Sequence, residues 1–200
     1  MTNYLFISGS PRPGNNETIM QHLFHELLNS SNSDLIDAVI LYPRSDDIKR
    51  CVGCLKCQDA NETNYSEICA IRDGMSKNLD LMTQADVIIM STPNYCDNVS
   101  GLLKDFIDRL NPLYHKNLLE GKKLVAIVVG GGQEEHSERI VQENGGLFAL
   151  ADSYKMNLVS SYIFKALHIN DISEDIARGK ESRILPELEK IIDTLEALAE

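Results

Sequence analysis

Unbroken apolar runs and amphipathic stretches take turns along this chain. Tyr4-Leu5-Phe6-Ile7 is apolar at every position and predicts a buried strand. A polar loop follows, and then Ile19, Met20, Leu23, Phe24, Leu27 and Leu28 recur at helical spacing, with Asn15 and Asn16 as candidate N-caps. Leu35 to Leu41 reads as a second strand, and Met75, Leu79 and Met82 as a helix. Val87-Ile88-Ile89-Met90 is apolar throughout and predicts a central strand. Val99, Leu102, Leu103, Phe106, Ile107 and Leu110 then mark an amphipathic helix. Leu124 to Val129 is a fourth strand, followed by one helix through Ile140, Val141, Leu147 and Phe148. Leu158 to Phe164 is a fifth strand. Ile184, Leu188, Ile191, Ile192, Leu195 and Leu198 carry the closing helix.

Five strands alternating with helices predict an α/β fold with a doubly wound parallel sheet covered on both faces. Right-handed crossovers then bring every strand-to-helix loop to one sheet edge, where ligands of such sheets bind. Residues 8–18, 92–100 and 130–136 are the loops on that edge with special composition.

Composition narrows the class. The chain has 200 residues, 43% of them hydrophobic, which suits one sizeable domain over 1–200. No apolar run approaches the roughly 20 residues that span a bilayer. The chain enters its first strand with no basic leader, so a cytoplasmic protein is expected. The net charge of −11 argues against nucleic acid and anionic membranes as partners.

The first loop, Ser8-Gly9-Ser10-Pro11-Arg12-Pro13-Gly14-Asn15-Asn16-Glu17-Thr18, joins a strand to a helix N-terminus. Exposed N–H groups and the helix dipole favour an anion there. Ser10, Asn16 and Thr18 offer hydrogen bonds, Arg12 a charge, and Gly9 close backbone approach. The loop is neither a Walker loop nor a G-x-G-x-x-G loop. Thr92-Pro93-Asn94-Tyr95 and Gly130-Gly131-Gly132 fall on the same edge. Proline stiffens the former, tyrosine offers a stacking face, and glycine permits close approach in the latter.

Four of the five cysteines, Cys51, Cys54, Cys57 and Cys69, crowd into an irregular stretch at about 43–74. In a cytoplasmic chain this clustering favours metal, cluster or redox chemistry over disulfides. Residues 59–67 read as an inserted polar loop. Cys96 has no partner in sequence and is expected to be a small buried residue. His22 and His25 are expected on the surface. Lys104, Asp108 and Arg109 are expected to be structural or interface residues, and Glu134 and His136 to border the substrate space.

Several segments, taken together, carry a resemblance. They are Gly9-Ser10-Pro11-Arg12 with Asn16 and Thr18, Cys51-x2-Cys54-x2-Cys57, Cys69-Ala70-Ile71-Arg72-Asp73-Gly74-Met75, Ala85-Asp86-Val87-Ile88, Thr92-Pro93-Asn94-Tyr95, and Ser100 through Arg109. In this order they resemble the NADPH-dependent FMN reductase and iron–sulfur flavoprotein group of flavodoxin-like proteins. The resemblance implies strand order 2-1-3-4-5 and non-covalent FMN. Ser10, Arg12, Asn16 and Thr18 would hold its phosphate, and Pro93, Asn94 and Tyr95 would line its ring, with Gly131 and Gly132 nearby. In the family Asn directly precedes Ser or Thr. Here Glu17 intervenes, and a carboxylate beside a phosphate is unfavourable unless it points away.

The resemblance also implies a [4Fe–4S] cluster on Cys51, Cys54, Cys57 and Cys69. Zinc and metal-free thiols stand as alternatives. The activity implied is electron transfer from NAD(P)H, or a ferredoxin-type donor, through FMN to a quinone, flavin or other small acceptor, in a homodimer or homotetramer. An electron carrier without its own substrate, or a flavin-fold binding module without catalysis, are the other classes.

Overall fold

The computed structural model of the protein describes residues 1–58 and 68–199. The expected polar loop at 59–67 lies outside the described residues.

Strands β1 (Thr2–Ser8), β2 (Ile36–Leu41), β3 (Val87–Pro93), β4 (Lys123–Gly130) and β5 (Asn157–Lys165) form one sheet. Its order is β2-β1-β3-β4-β5, as the resemblance implies, and all four pairings are parallel, as the alternation of strands and helices predicts. Helices follow in chain order: α1 (Asn15–Leu28), α2 (Met75–Gln84), α3 (Gly101–Asp108), α4 (Asn111–Tyr114), α5 (Glu134–Glu138), α6 (Gly146–Ser153), α7 (Asp171–Ile176) and α8 (Leu185–Ala197). No helix among the described residues is long and apolar enough to cross a membrane.

Strand periodicity divides the apolar runs between two cores. Leu5, Ile7, Ile88, Met90, Leu124 and Ala126 face Met75, Leu79, Leu103, Phe106 and Leu147 of α2, α3 and α6. Tyr4, Phe6, Val87, Ile89, Val125 and Ile127 face Ile19, Leu23, Ile172, Leu188 and Ile191 of α1, α7 and α8. At the sheet's other end, neighbouring lysines close one helix on each face. Lys122 Nζ donates to the Thr83 and Ala85 carbonyls at the end of α2, and Lys123 Nζ to the Leu198 carbonyl beyond α8. Each cation meets the negative end of a helix dipole.

Three local expectations differ from the structure. The stretch after β4 is two short helices, not one. Asn144 takes a left-handed φ of 71°, and a Cβ on Gly145 would collide with the Arg139 carbonyl, so the chain turns there. Helix α1 has Gly14 at its N-cap, with φ 135°, in place of an asparagine. Asn15 is occupied elsewhere: its Nδ2 donates to the His168 carbonyl at 2.7 Å and its Oδ1 accepts from the Ile172 amide at 3.1 Å. Cys96 is exposed, not buried. It sits in a tight turn at φ 54°, beside Asp97 at φ 58° and within the Tyr95–Asn98 bridge.

Candidate functional site

Strand β1 has β2 on one side and β3 on the other, and the chain leaves β1 and β3 toward opposite faces. The crevice at their C-terminal ends is the topological switch point of the sheet. A cleft opens there, at the place where ligands of such sheets bind. The loop after β1 contributes Ser10, Arg12, Pro13, Asn15 and Asn16, and the loop after β3 contributes Pro93, Asn94 and Tyr95. Gly131 adds one wall, and Ala166, Leu167 and Ile169 another.

The first loop is held from within and from below. Ser10 Oγ donates to the Arg12 carbonyl at 2.7 Å and accepts from the Arg12 amide at 3.3 Å, leaving the Arg12 side chain at the surface. Gly9 N–H donates to the Ser91 carbonyl at 2.8 Å. A Cβ on Gly9 would lie 2.8 Å from both that carbonyl and Leu103 Cδ2, so only glycine lets the loop sit this low. The first amide of α1 with a helical acceptor is that of Thr18, bonded to the Gly14 carbonyl at 2.9 Å. The amides before it in α1 have no acceptor among the described residues and stand at the positive end of a 14-residue helix. Asn16 is 5% exposed, lines the cleft, and has Oδ1 buried without a partner among the described residues. A buried carbonyl oxygen left unpaired is costly; a ligand N–H or hydroxyl would satisfy it as it stands, and the carboxamide turned over would present Nδ2 to an anion.

Glu17 does point away. Its carboxylate accepts from Arg44 at 2.8 Å and from Gln21 at 3.2 Å. Thr18 and Gly132 are not among the residues lining this cleft. Gly132 instead lines an adjoining cavity with Gln133, Glu134 and Ser137. Glu134 borders that neighbouring space, whereas His136 serves the loop after β3. There, Asp97 accepts from His136 Nδ1 at 2.8 Å and from Arg139 at 2.7 Å. The His136 contact, with Arg139 adding to it, holds the Asp97 carboxyl below its ordinary range. Asn94 N–H donates to the Val129 carbonyl at 2.8 Å, and its side chain reaches Ser137 at 3.2 Å. Tyr95, between these anchors, is 43% exposed at the rim.

A second cavity gathers all four clustered cysteines. Cys51, Cys54, Cys57 and Cys69 line it together with Asp108 and Arg109. Gly53 and Leu55, at φ 63° and 61°, wind the chain around it. Burial pushes the Cys57 thiol up, and the charges of Cys51, Cys69 and Cys54 add to the rise. Among the described residues no group of three His, Cys, Asp or Glu side chains could hold a metal ion between them. Four cysteines around one cavity are a donor set that suits zinc and an iron–sulfur cluster alike.

Sequence reasoning passed over Asn15 and the wall at Ala166, Leu167 and Ile169. The segment after β5 has no glycine or proline to mark it. The parallel topology alone could have placed it on the ligand edge.

The NADPH-dependent FMN reductase family model matches residues 2–164. An iron–sulfur flavoprotein of Methanocaldococcus jannaschii is 31% identical over 72% of this chain and 70% of its own length. An iron–sulfur flavoprotein of Archaeoglobus fulgidus is 34% identical over 63% of this chain, which spans only 53% of that relative. Among solved structures, an NADH:FMN oxidoreductase in its apo form superposes with a TM-score of 0.62 at 19% identity. That match covers 98% of this chain and 89% of the other.

Proposed function

Since the chain belongs to the NADPH-dependent FMN reductase family, we propose that it is an FMN-dependent oxidoreductase whose flavin occupies the cleft at the β1/β3 switch point. The observation that carries this reading is the unpaired Asn16 carboxamide at the N-terminus of α1, facing a cleft that also holds Ser10, Arg12 and Tyr95. The amides at the start of α1, Ser10 and Arg12 would bind the phosphate, and Asn16 would join them through Nδ2 with its carboxamide turned over. Pro93, Asn94, Tyr95 and Gly131 would line the ring. Thr18 and Gly132, expected at the site from sequence, stand outside this wall. When bound, FMN supplies the redox chemistry, accepting hydride from a nicotinamide and passing electrons on singly or in pairs. The chain's part is to hold it, shape its edge and shield it.

The second part of the proposal is that Cys51, Cys54, Cys57 and Cys69 hold a [4Fe–4S] cluster. Their common cavity supports it, as do relatives named iron–sulfur flavoproteins. NAD(P)H or a ferredoxin-type donor would supply electrons, and a quinone, free flavin or similar small molecule would accept them. The whole chain would act as one flavin-binding domain, in a cytoplasmic homodimer or homotetramer.

An absorption spectrum of anaerobically purified protein tests both parts. Flavin bands, a broad iron–sulfur shoulder and stoichiometric iron and sulfide are expected. A colourless protein that fails to bind added FMN overturns the first part. Iron and sulfide near zero after reconstitution overturn the second.

A further inference from the structure

The most unusual group beside the cysteine cavity is a cation. Arg109 caps the C-terminal end of α3, and its side chain is 2% exposed. Its Nη1 donates to Asp73 Oδ2 and to the Lys49 carbonyl, each at 2.6 Å, and its Nη2 donates to Asp73 Oδ1 at 2.9 Å. The Asp73 side chain is 0% exposed. Arg109 Nε is buried and without a partner among the described residues. Asp73 and Lys49 thus take three of the five guanidinium N–H groups, while Arg109 itself lines the cavity with all four cysteines.

A buried ion pair costs desolvation, and a packed apolar pair would often serve stability as well. Arg109 lines the cysteine cavity and Asp73 does not, so the pair presents its positive member to the cavity. Adding an electron to a thiolate-bound cluster increases negative charge. A fixed cation or N–H donor beside the sulfurs favours the reduced form, and does so more strongly where water is excluded. We propose that Arg109, braced by Asp73, raises the reduction potential of the sulfur centre held by Cys51, Cys54, Cys57 and Cys69. The inference rests on the reading of those cysteines as a [4Fe–4S] site.

The charges give predictions of opposite sign. Asp73→Asn removes the counter-charge and leaves Arg109 in place, so the potential rises. The double variant Asp73→Asn with Arg109→Gln replaces the ion pair by a neutral pair of similar shape, so the potential falls below wild type. A residue that merely orders the loop would lower cluster content in both variants and give no such ordering.

The experiment uses the full chain, reconstituted anaerobically, with iron and sulfide measured first. Potentiometric titration then follows the cluster's paramagnetic signal, which separates it from the flavin. The expected order is Asp73→Asn above wild type above the double variant. Each step is about tenfold in the reduction equilibrium, or about 59 mV for one electron. Reduction equilibria within twofold of wild type in both variants, shifts of the same sign, or loss of iron from both variants while wild type retains it each overturn the role of Arg109 alone. A wild-type chain that takes up no iron and sulfide overturns the four-cysteine reading, and the inference falls with it.

Discussion

Ser100 Oγ donates to the carbonyl of Gly9 at 2.5 Å, joining two residues that are 91 positions apart. The same oxygen accepts from the Leu103 amide at 3.1 Å and so caps α3, while the Ser100 amide donates to Thr92 Oγ1 at 3.0 Å. One fully buried residue therefore joins the loop after β1, the end of β3 and the start of α3, the first and last of these through its hydroxyl. Ser100→Ala leaves the Gly9 carbonyl and the Leu103 amide without this partner in a dry setting. The expected loss is about 1–3 kcal/mol of stability. Chemical denaturation of the flavin-free protein measures it, and FMN should dissociate faster from the variant. A stability change under about 0.5 kcal/mol, the range of an ordinary surface substitution, would remove this residue from the account.

Gly9→Ala attacks the same junction by volume. The added methyl meets the Ser91 carbonyl and Leu103 at 2.8 Å, and neither the strand nor the packed leucine can yield without opening the switch point. Overpacking of this kind costs about 1–3 kcal/mol. FMN affinity should fall with stability, because the loop rises toward the space of the phosphate. Titration of the variant with FMN, followed by flavin fluorescence, checks this; wild-type affinity would show that the loop tolerates the shift.

Arg12 and Asn16 should separate charge from hydrogen bonding at the phosphate. Arg12 is exposed and acts through its charge, so Arg12→Ala should weaken FMN severalfold, and added salt should narrow the gap from wild type. Asn16 is buried, so Asn16→Ala should weaken FMN by about tenfold with little salt dependence. Binding titrations at low and high salt decide the matter, and the same salt response in both variants would refute the division.

The β-strands, the two cores and the ligand edge were legible in the sequence because each rests on local periodicity. A residue such as Ile89 lies in an unbroken apolar run, and Leu103 repeats with Phe106 on one helical stripe. Asn144-Gly145-Gly146 has the composition of a breaker, but the apolar positions flanking it read as one continuous helix. Contacts made only by the folded chain were hidden. Nothing local pairs Glu17 with Arg44, Asp97 with His136, or Asn15 with His168. The exposure of Cys96 depends on a two-residue left-handed turn that neither Cys nor Asp announces. The four cysteines could be counted from the sequence, but the cation among them could not, because Arg109 arrives from the far end of α3.

Acid should destabilise the protein in a defined window. Asp175 Oδ1 accepts from Ser182 Oγ and from the amides of Arg183 and Ile184, which fasten the entry to α8. The Ser182 contact, with the two amides, holds this carboxyl below its ordinary value. Asp73 shows the same direction: burial alone would raise it, but the Arg109 hydrogen bonds and the amides of Lys49 and Met75 outweigh that. A depressed folded-state value means stability that is present at neutral pH. It is lost as pH falls below the unfolded value of about 3.9 toward the folded one. Melting temperature should be flat from about pH 8 to 6 and fall below about pH 5. Asp175→Asn should lower the melt at neutral pH and shrink the difference between neutral and acid. An unchanged difference would show that Asp175 does not contribute to the slope.

Glu17 and Arg44 provide the last test, because their pairing answers the problem set by a carboxylate in the first turn of α1. Arg44 holds that carboxylate at 2.8 Å, with the two side chains only 19% and 16% exposed, and its guanidinium also stacks over Tyr42. Arg44→Ala frees a negative charge one turn from the phosphate, where the helix dipole would otherwise favour an anion. FMN binding should weaken by about fivefold, or roughly 1 kcal/mol, in the range of partly buried charge contacts. Glu17→Gln alone should bind FMN at least as well as wild type, since it removes the charge that Arg44 exists to hold. The double variant should recover most of the affinity lost in Arg44→Ala, because no carboxylate is left to free. Isothermal titration of all four proteins with FMN closes this cycle. Additive losses would mean that Arg44 acts on the flavin site through the fold, independently of Glu17.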